Sequence, residues 1–309
     1  MKNTQNFLIT IVGPTAIGKT ALSILIAKHF NSAILSSDSR QFFKEMRIGT
    51  AVPEEDELAA VAHHFIQNKS IFEDYNVGQF EREALKKLNE LFVENSVQVM
   101  VGGSGLYVDA VVKGLDEFPK VDASIRKNLN IALVEKGLEP LQNQLKELDL
   151  ITYKEIAIDN PQRVIRALEI CIGSGLPYSD FKNKPKAPRN FKTIKIGLNA
   201  DRTFIYDRIN KRVENMMEKG LLEEAKNLQD HKHLNALKTV GYRELFSFLD
   251  GDFTQEFAIS EIKKNTRRFA KRQITWFKRD PEIVWFDYQT PINEILLNIS
   301  EKMNTFKEN

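Results

Sequence analysis

The sequence predicts an α/β fold: a parallel sheet flanked by helices, interrupted by a helical insertion. Three observations lead there. A buried-looking apolar run, Phe7–Val12, feeds a glycine-bearing loop and then a helical stretch. Strand-like and helix-like segments alternate from there to about Val112. The middle of the chain, Asp122 to Gly175, contains helical segments and no convincing strand. Alternation of the first kind implies crossovers that pack helices on both faces of a parallel sheet.

Each element has its own reason. Phe7–Val12 is β-branched and continuously apolar, as a strand covered on both faces must be. A helix follows to about Phe30, then a second strand over Ser32–Ser37, ending at Asp38. Val77–Glu94 repeats with helical period, Val97–Val101 is a short strand broken by Gly102-Gly103, and Ser104–Val112 reads as a helix. In the insertion, Asp159-Asn160-Pro161 opens a helix with a capping residue and a first-turn proline, and Gly173 and Gly175 are expected to close it. Lys182–Lys192 carries two prolines and five basic residues and is read as an exposed connector. Thr193–Leu198 is a strand, helices fill Asp201–Gly220, Leu221–Gln229, Leu237–Leu249 and Thr254–Lys278, and Ile283–Phe286 is a last short strand. The expected organisation is a discontinuous core, 1–114 with 191–309, and an insertion domain at 115–190.

Composition narrows the class. The 309 residues are 42% hydrophobic and 28% charged, ordinary for a globular protein with a sizeable core. A single cysteine, Cys171, rules out a disulfide framework within the chain and fits a reducing compartment. No apolar run approaches the ~20 residues of a membrane span. The start, Met1–Asn6, is polar, and the apolar run after it is too short for a signal-peptide core, so a cytoplasmic protein is expected. A net charge of +2 means that any nucleic-acid surface must arise from local clustering. His231 and His233 lack metal-ligand company, and no structural zinc is expected.

The loop after the first strand, Gly13-Pro14-Thr15-Ala16-Ile17-Gly18-Lys19-Thr20, is a P-loop in the strand–loop–helix context that makes the match specific, so the core is expected to be P-loop NTPase-like. Inward-turned amides and the helix N-terminus hold an anion. Lys19 adds a mobile positive charge, and Thr20 offers its hydroxyl to Mg²⁺. Read alone, the loop suggests nucleotide binding. Yet the strand Val97–Val101 ends in glycines rather than the acidic residue a nucleotide hydrolase uses. The carboxylate available at that sheet edge is Asp38. It suits a base acting on a nucleophile beside bound phosphates; it could instead cap a helix starting at Ser39. A small-molecule kinase would use it on a hydroxyl, another group transferase on an amine, and the P-loop does not decide between them.

Two basic groupings accompany this. Arg163 and Arg166 share a helix face beside Gln162, suited to phosphates or base edges, or to ion pairs with Glu169 or Asp159. Lys263–Arg279 holds eight Lys or Arg in 17 residues. Lys263, Arg267 and Lys271 form one stripe and Lys264, Arg268 and Arg272 the next, either a nucleic-acid backbone surface or a solvated face. Arg208 and Arg212, one helical turn apart, could face anionic groups or pair with Glu214 and Asp207.

GPTAIGKT at 13–20, DSRQ at 38–41, GGSGLY at 102–107, DNPQRVIRALE at 159–169, VGYRE at 240–244 and NTRRFAKRQITWFKRD at 265–280 run in order over nearly the whole chain. Together they resemble the tRNA dimethylallyltransferase, or tRNA isopentenyltransferase, family. The resemblance implies transfer of a dimethylallyl group from dimethylallyl diphosphate to N6 of adenine 37, in tRNAs reading codons that start with U. It implies Gly13–Thr20 with Mg²⁺ on the diphosphate, joined by Arg208 or Arg212, and Asp38 as general base. It implies tRNA contacts from Asp38, Ser39, Arg40 and Gln41, from Ser104 and Arg126, and from Gln162, Arg163, Val164, Ile165 and Arg166. The basic face at Arg267, Arg268, Lys271 and Arg272 would bind the anticodon stem-loop. Ser104 stands where the family commonly has Thr, and Phe43 where it frequently has Tyr. A monomer is expected. A P-loop kinase of a small metabolite or nucleoside is the alternative.

Overall fold

The computed structural model describes residues 5–308; of the polar start read at Met1–Asn6, residues 1–4 lie outside it. The chain divides into two compact units, Met1–Lys113 with Arg189–Asn309, and Gly114–Pro188.

In the first unit the order is β1 (Phe7–Val12), α1 (Lys19–Phe30), β2 (Ile34–Ser36), α2 (Glu55–Ala60), β3 (His63–His64), α3 (Val77–Glu94), β4 (Val97–Val101) and α4 (Gly105–Lys113). The six-stranded sheet is completed after the second unit, in the order β3-β2-β4-β1-β5-β6, with every pairing parallel. Central β1 is buried along its whole length, and its period of two splits it between two cores. Phe7, Ile9 and Ile11 pack with Ile24 and Ile26 of α1, while Leu8 and Val12 pack with Phe80, Ala84 and Leu88 of α3. That two-sided burial is why the strand reads as an unbroken apolar run.

The second unit is α5 (Ala123–Lys136), α6 (Glu139–Leu148), α7 (Leu150–Glu155) and α8 (Pro161–Ser174) around Leu129, Leu141, Leu145, Val164, Ile165, Leu168 and Cys171. Asn160 caps α8, accepting from the Gln162 and Arg163 amides at 3.1 and 3.3 Å, with Pro161 in the first turn. Buried Asp149 ties the unit together, accepting from Thr152 and from the Ser179 amide at 2.7 Å. Gly173 does not end α8 as expected. It lies inside the helix, where Val121 and Ile125 pack so closely that a side chain would collide with them, and Gly175 is the true cap.

Back in the first unit come β5 (Lys192–Asn199), α9 (Arg202–Glu218), α10 (Leu221–Asn227), α11 (Tyr242–Leu249), α12 (Gln255–Phe277), β6 (Val284–Asp287) and α13 (Ile292–Glu308). The segment leading to β5 is anchored on its core side: Arg189 donates to the Ala110 and Val111 carbonyls and pairs with Glu81 at 2.6 Å. The helix expected from Leu237 begins only at Tyr242, because Glu244 reaches back to accept the Gly241 N–H at 2.8 Å and fixes the start there. Helices α2 and α13 and the two-residue β3 have no counterpart in the sequence reading. Among the described residues no helix is long and apolar enough to cross a membrane.

Candidate active site

Because all six strands run the same way, the loops after β1, β2 and β4 emerge at one edge of the sheet. They are the P-loop, the Asp38 turn and Gly102-Gly103. A cavity of about 750 Å³ opens there, lined by Gly18, Lys19, Thr20, Asp38, Arg208 and Arg212 among others.

The loop geometry follows from its residues. Gly18 takes φ 107° and starts α1, and buried Ile17 pins the loop to the α1 side of the sheet. Lys19 folds back to donate to the Pro14 carbonyl at 2.8 Å. Burial brings its ammonium down to about 8, opposed by the Asp38 carboxylate and reinforced by Arg212. Not every loop amide is free: the Thr15 N–H is given to the Gln273 side chain at 2.8 Å.

Asp38 does not cap a helix. It sits in a turn, accepting the Arg40 N–H at 3.2 Å, while its own N–H donates to Ser36 Oγ at 3.3 Å. No helix competes for its carboxylate, and Asp38 lines the same cavity as Lys19. The field of Asp38 reaches Lys19, Arg40 and Arg212. For Arg40 and Arg212, burial lowers the guanidinium pKa and Asp38 pulls it back up.

The two candidate diphosphate arginines differ. Arg208 spends its Nε–H on the Ala16 carbonyl at 2.7 Å, bracing the loop from outside. Arg212 makes no hydrogen bond or ion pair among the described residues, and it lines the cavity. The pairings with Glu214 and Asp207 do not form; Glu214 is taken by Lys263 at 2.6 Å.

Around the carboxylate, Ser104 accepts the Ser39 N–H at 3.1 Å and meets its hydroxyl at 3.0 Å, joining the β2 and β4 loops. Gln41 is fully engaged, accepting from Ser36 Oγ at 3.2 Å and donating to the Ala51 carbonyl at 2.8 Å, so its amide braces residues 50–51. Arg40 lies 4.1 Å over the Phe269 ring. Phe43 is 9% exposed and packs in the core, a place that uses no hydroxyl.

Helix α12 is less uniformly available than its charge suggests. Lys263 pairs with Glu214 and Lys264 with Glu261. Arg267 donates to Asn210 at 2.8 Å and lies over the Tyr206 ring. Arg268, Lys271 and Arg272 are exposed and have no carboxylate partner among the described residues.

In the second unit the structure corrects two expected RNA contacts. Val164 and Ile165 are both 0% exposed, because α8 turns that face into the unit's own core. The opposite face carries exposed Gln162 and Arg163. Arg126 and Arg166 both pair with Glu169 at 3.0 Å, and Arg126 also donates to Gln162 at 3.2 Å.

Sequence reasoning missed the inward side of α12. Gln273 is polar at a position whose helical neighbours Ala270 and Phe277 are buried, and that mismatch with the apolar period was the available signal.

A parallel α/β sheet whose P-loop faces a carboxylate from the adjoining loop, with glycines where a hydrolase has its acid, defines a P-loop group-transfer fold. The family model described as IPP transferase matches residues 41–280. A tRNA dimethylallyltransferase from Christiangramia forsetii is 61% identical over 301 residues, 97% of this chain and 100% of the relative. Another from Flavobacterium psychrophilum is 60% identical over 305 residues, 97% of this chain and 99% of the relative. The crystal structure of the tRNA isopentenylpyrophosphate transferase from Bacillus halodurans superposes with TM-score 0.73 at 35% identity, covering 99% of this chain and 100% of that one. A eukaryotic dimethylallyltransferase acting on tRNA shares the fold, with TM-score 0.83 at 24% identity over 97% of this chain and 80% of that one. This chain belongs to the IPP transferase family, that of the tRNA dimethylallyltransferases. Membership sets aside the kinase alternative.

Proposed function

We propose that the protein transfers a dimethylallyl group from dimethylallyl diphosphate to N6 of adenine 37 in tRNAs reading codons that start with U, releasing diphosphate. The observation that carries this reading is the meeting of the P-loop, Arg212 and Asp38 in one cavity. Ionising an allylic C–O bond builds charge on the leaving diphosphate. Lys19, Arg212 and the free P-loop amides are the groups suited to hold that charge as it grows, with Arg208 keeping the loop in place. The exocyclic amine is a poor nucleophile, and Asp38 accepts its proton as the C–N bond forms. The base must leave its stack to arrive there, at a cost of a few kcal/mol. Exposed Arg268, Lys271 and Arg272, with Arg163 and Gln162 on the second unit, would offset that cost through the RNA backbone.

The residues also suit Mg²⁺. Thr20 and Asp38 line the cavity, and no cluster of three acidic, histidine or cysteine side chains that could cage a metal exists among the described residues. The single hydroxyl of Thr20 matches an ion that keeps its waters and leans on substrate phosphates. Bound at Thr20, it would neutralise charge on the diphosphate. We place the protein in the cytoplasm as a monomer.

The test is a direct one. Incubation with Mg²⁺, dimethylallyl diphosphate and unmodified tRNA, followed by digestion and mass spectrometry, is expected to yield N6-dimethylallyladenosine. Its absence, with the RNA and diphosphate both bound, would refute the assignment.

A further inference from the structure

Helix α12 sets three residues of its C-terminal half against three different segments near the site. Phe269 carries the Arg40 guanidinium over its ring at 4.1 Å. Gln273, one turn on, accepts the Thr15 N–H of the P-loop at 2.8 Å and donates to the Gly103 carbonyl at 2.9 Å. Trp276 packs against Gly105 and donates to Asp109 at 2.8 Å.

Gln273 is the connection that spans the reaction. Its side chain is 5% exposed, so both halves of its amide must be satisfied inside the protein. Gly103 lets it approach: a Cβ there would collide with Gln273 Nε2, and that same Cβ position is 3.9 Å from Asp38 Oδ2. One planar amide therefore joins the loop that holds the leaving group to the wall beside the accepting carboxylate. An apolar residue of equal size would fill the space but leave the Thr15 N–H and the Gly103 carbonyl without partners.

We infer that Gln273, forked between the Thr15 amide and the Gly103 carbonyl, is a positioning residue that sets the register of the diphosphate loop against the Asp38 side of the site. The inference rests on the diphosphate reading of the P-loop. Misregister of about an ångström between reacting groups is enough to cost two orders of magnitude in rate. Gln273 touches no reacting atom; it acts through the two backbones it holds.

Two variants of the full chain decide it. Gln273→Met keeps the volume and removes both bonds. Gln273→Glu keeps the shape and the acceptor for Thr15, but sets an oxygen against the Gly103 carbonyl. Each is measured for pyrophosphate affinity with Mg²⁺ by calorimetry, for kcat and KM with dimethylallyl diphosphate, and for fold by circular dichroism. Expected in Gln273→Met are a pyrophosphate Kd raised at least ~5-fold and a kcat lowered at least ~10-fold, with the circular dichroism spectrum of the wild type. In Gln273→Glu the kcat falls by a similar factor. If Gln273→Met fails to fold, Gln273→Glu decides by the same kcat criterion. Wild-type kcat and pyrophosphate affinity in either folded variant would mean that Gln273 is merely a packing residue and would overturn the inference. If the wild type makes no prenylated tRNA, the proposed reaction fails, and the pyrophosphate arm still judges Gln273. A wild type that binds no pyrophosphate overturns both.

Discussion

Asp38 and Lys19 line the same cavity, and each can be tested by one substitution. Removing a general base costs about 10²–10⁴ in rate. Asp38→Ala is therefore expected to lower kcat by that range while tRNA affinity, measured by filter binding, changes little; near-normal turnover would exclude it as the base. Lys19 gives a pH prediction. Its ammonium is held at about 8 in the free protein, so positive charge in the loop is present below that pH and lost above it. Pyrophosphate affinity should fall as pH rises from 7 to 9.5, and Lys19→Ala should bind weakly with that dependence abolished. The stability sign is opposite. A lysine whose folded pKa lies below its unfolded one costs stability at neutral pH, and the cost is relieved as pH climbs from about 8 toward the unfolded value.

At the scale of elements, α12 is a helix with two jobs on two faces. The charge count pointed to a nucleic-acid face, but not to which charges are free. Lys263 and Lys264 end on Glu214 and Glu261, one from α9 and one from the preceding turn of α12 itself. Neutralising Arg268, Lys271 and Arg272 together should reduce the slope of log affinity for tRNA against log salt by about 2–3, at roughly 0.7–0.9 per lost phosphate contact. Neutralising Lys263 and Lys264 should leave the slope nearly unchanged and shift stability by about 1 kcal/mol, as partly exposed pairs do. Equal effects from the two sets would mean that the helix binds RNA as a diffuse charge. Helix α13 shows a gap of another kind. Ile292, Ile295, Ile299 and Met303 keep helical spacing and pack in the core on the α1 side of the sheet, so its period is readable in the sequence.

For the molecule as a whole, the free site gathers Lys19, Arg40 and Arg212 around one carboxylate. That is a surplus of half-buried positive charge, which a bound anion would neutralise. Magnesium pyrophosphate at a hundred times its Kd should stabilise the fold by about 2.7 kcal/mol. This would appear as a rise of several degrees in Tm, and Lys19→Ala should lose most of it.

What the sequence by itself determined was local. A β-branched apolar run reads as a buried strand, the glycine-bearing loop after it has the form that suits an anion, and an ordered set of motifs along the chain marked the family. Asp38 was readable too, because a parallel strand delivers its C-terminal residue to the same sheet edge as the P-loop. Tertiary structure decided how each polar group spends its hydrogen bonds. Arg208 and Arg212 are one turn apart and chemically identical, yet one is used on the Ala16 carbonyl and the side chain of the other makes no hydrogen bond or ion pair among the described residues. Val164 and Ile165 sit inside a basic motif but face a core. Gln273 lies within a basic stretch but points at the P-loop. A hydrogen bond between residues 258 positions apart leaves no trace in either neighbourhood, since its strength depends on geometry that exists only once both segments are folded.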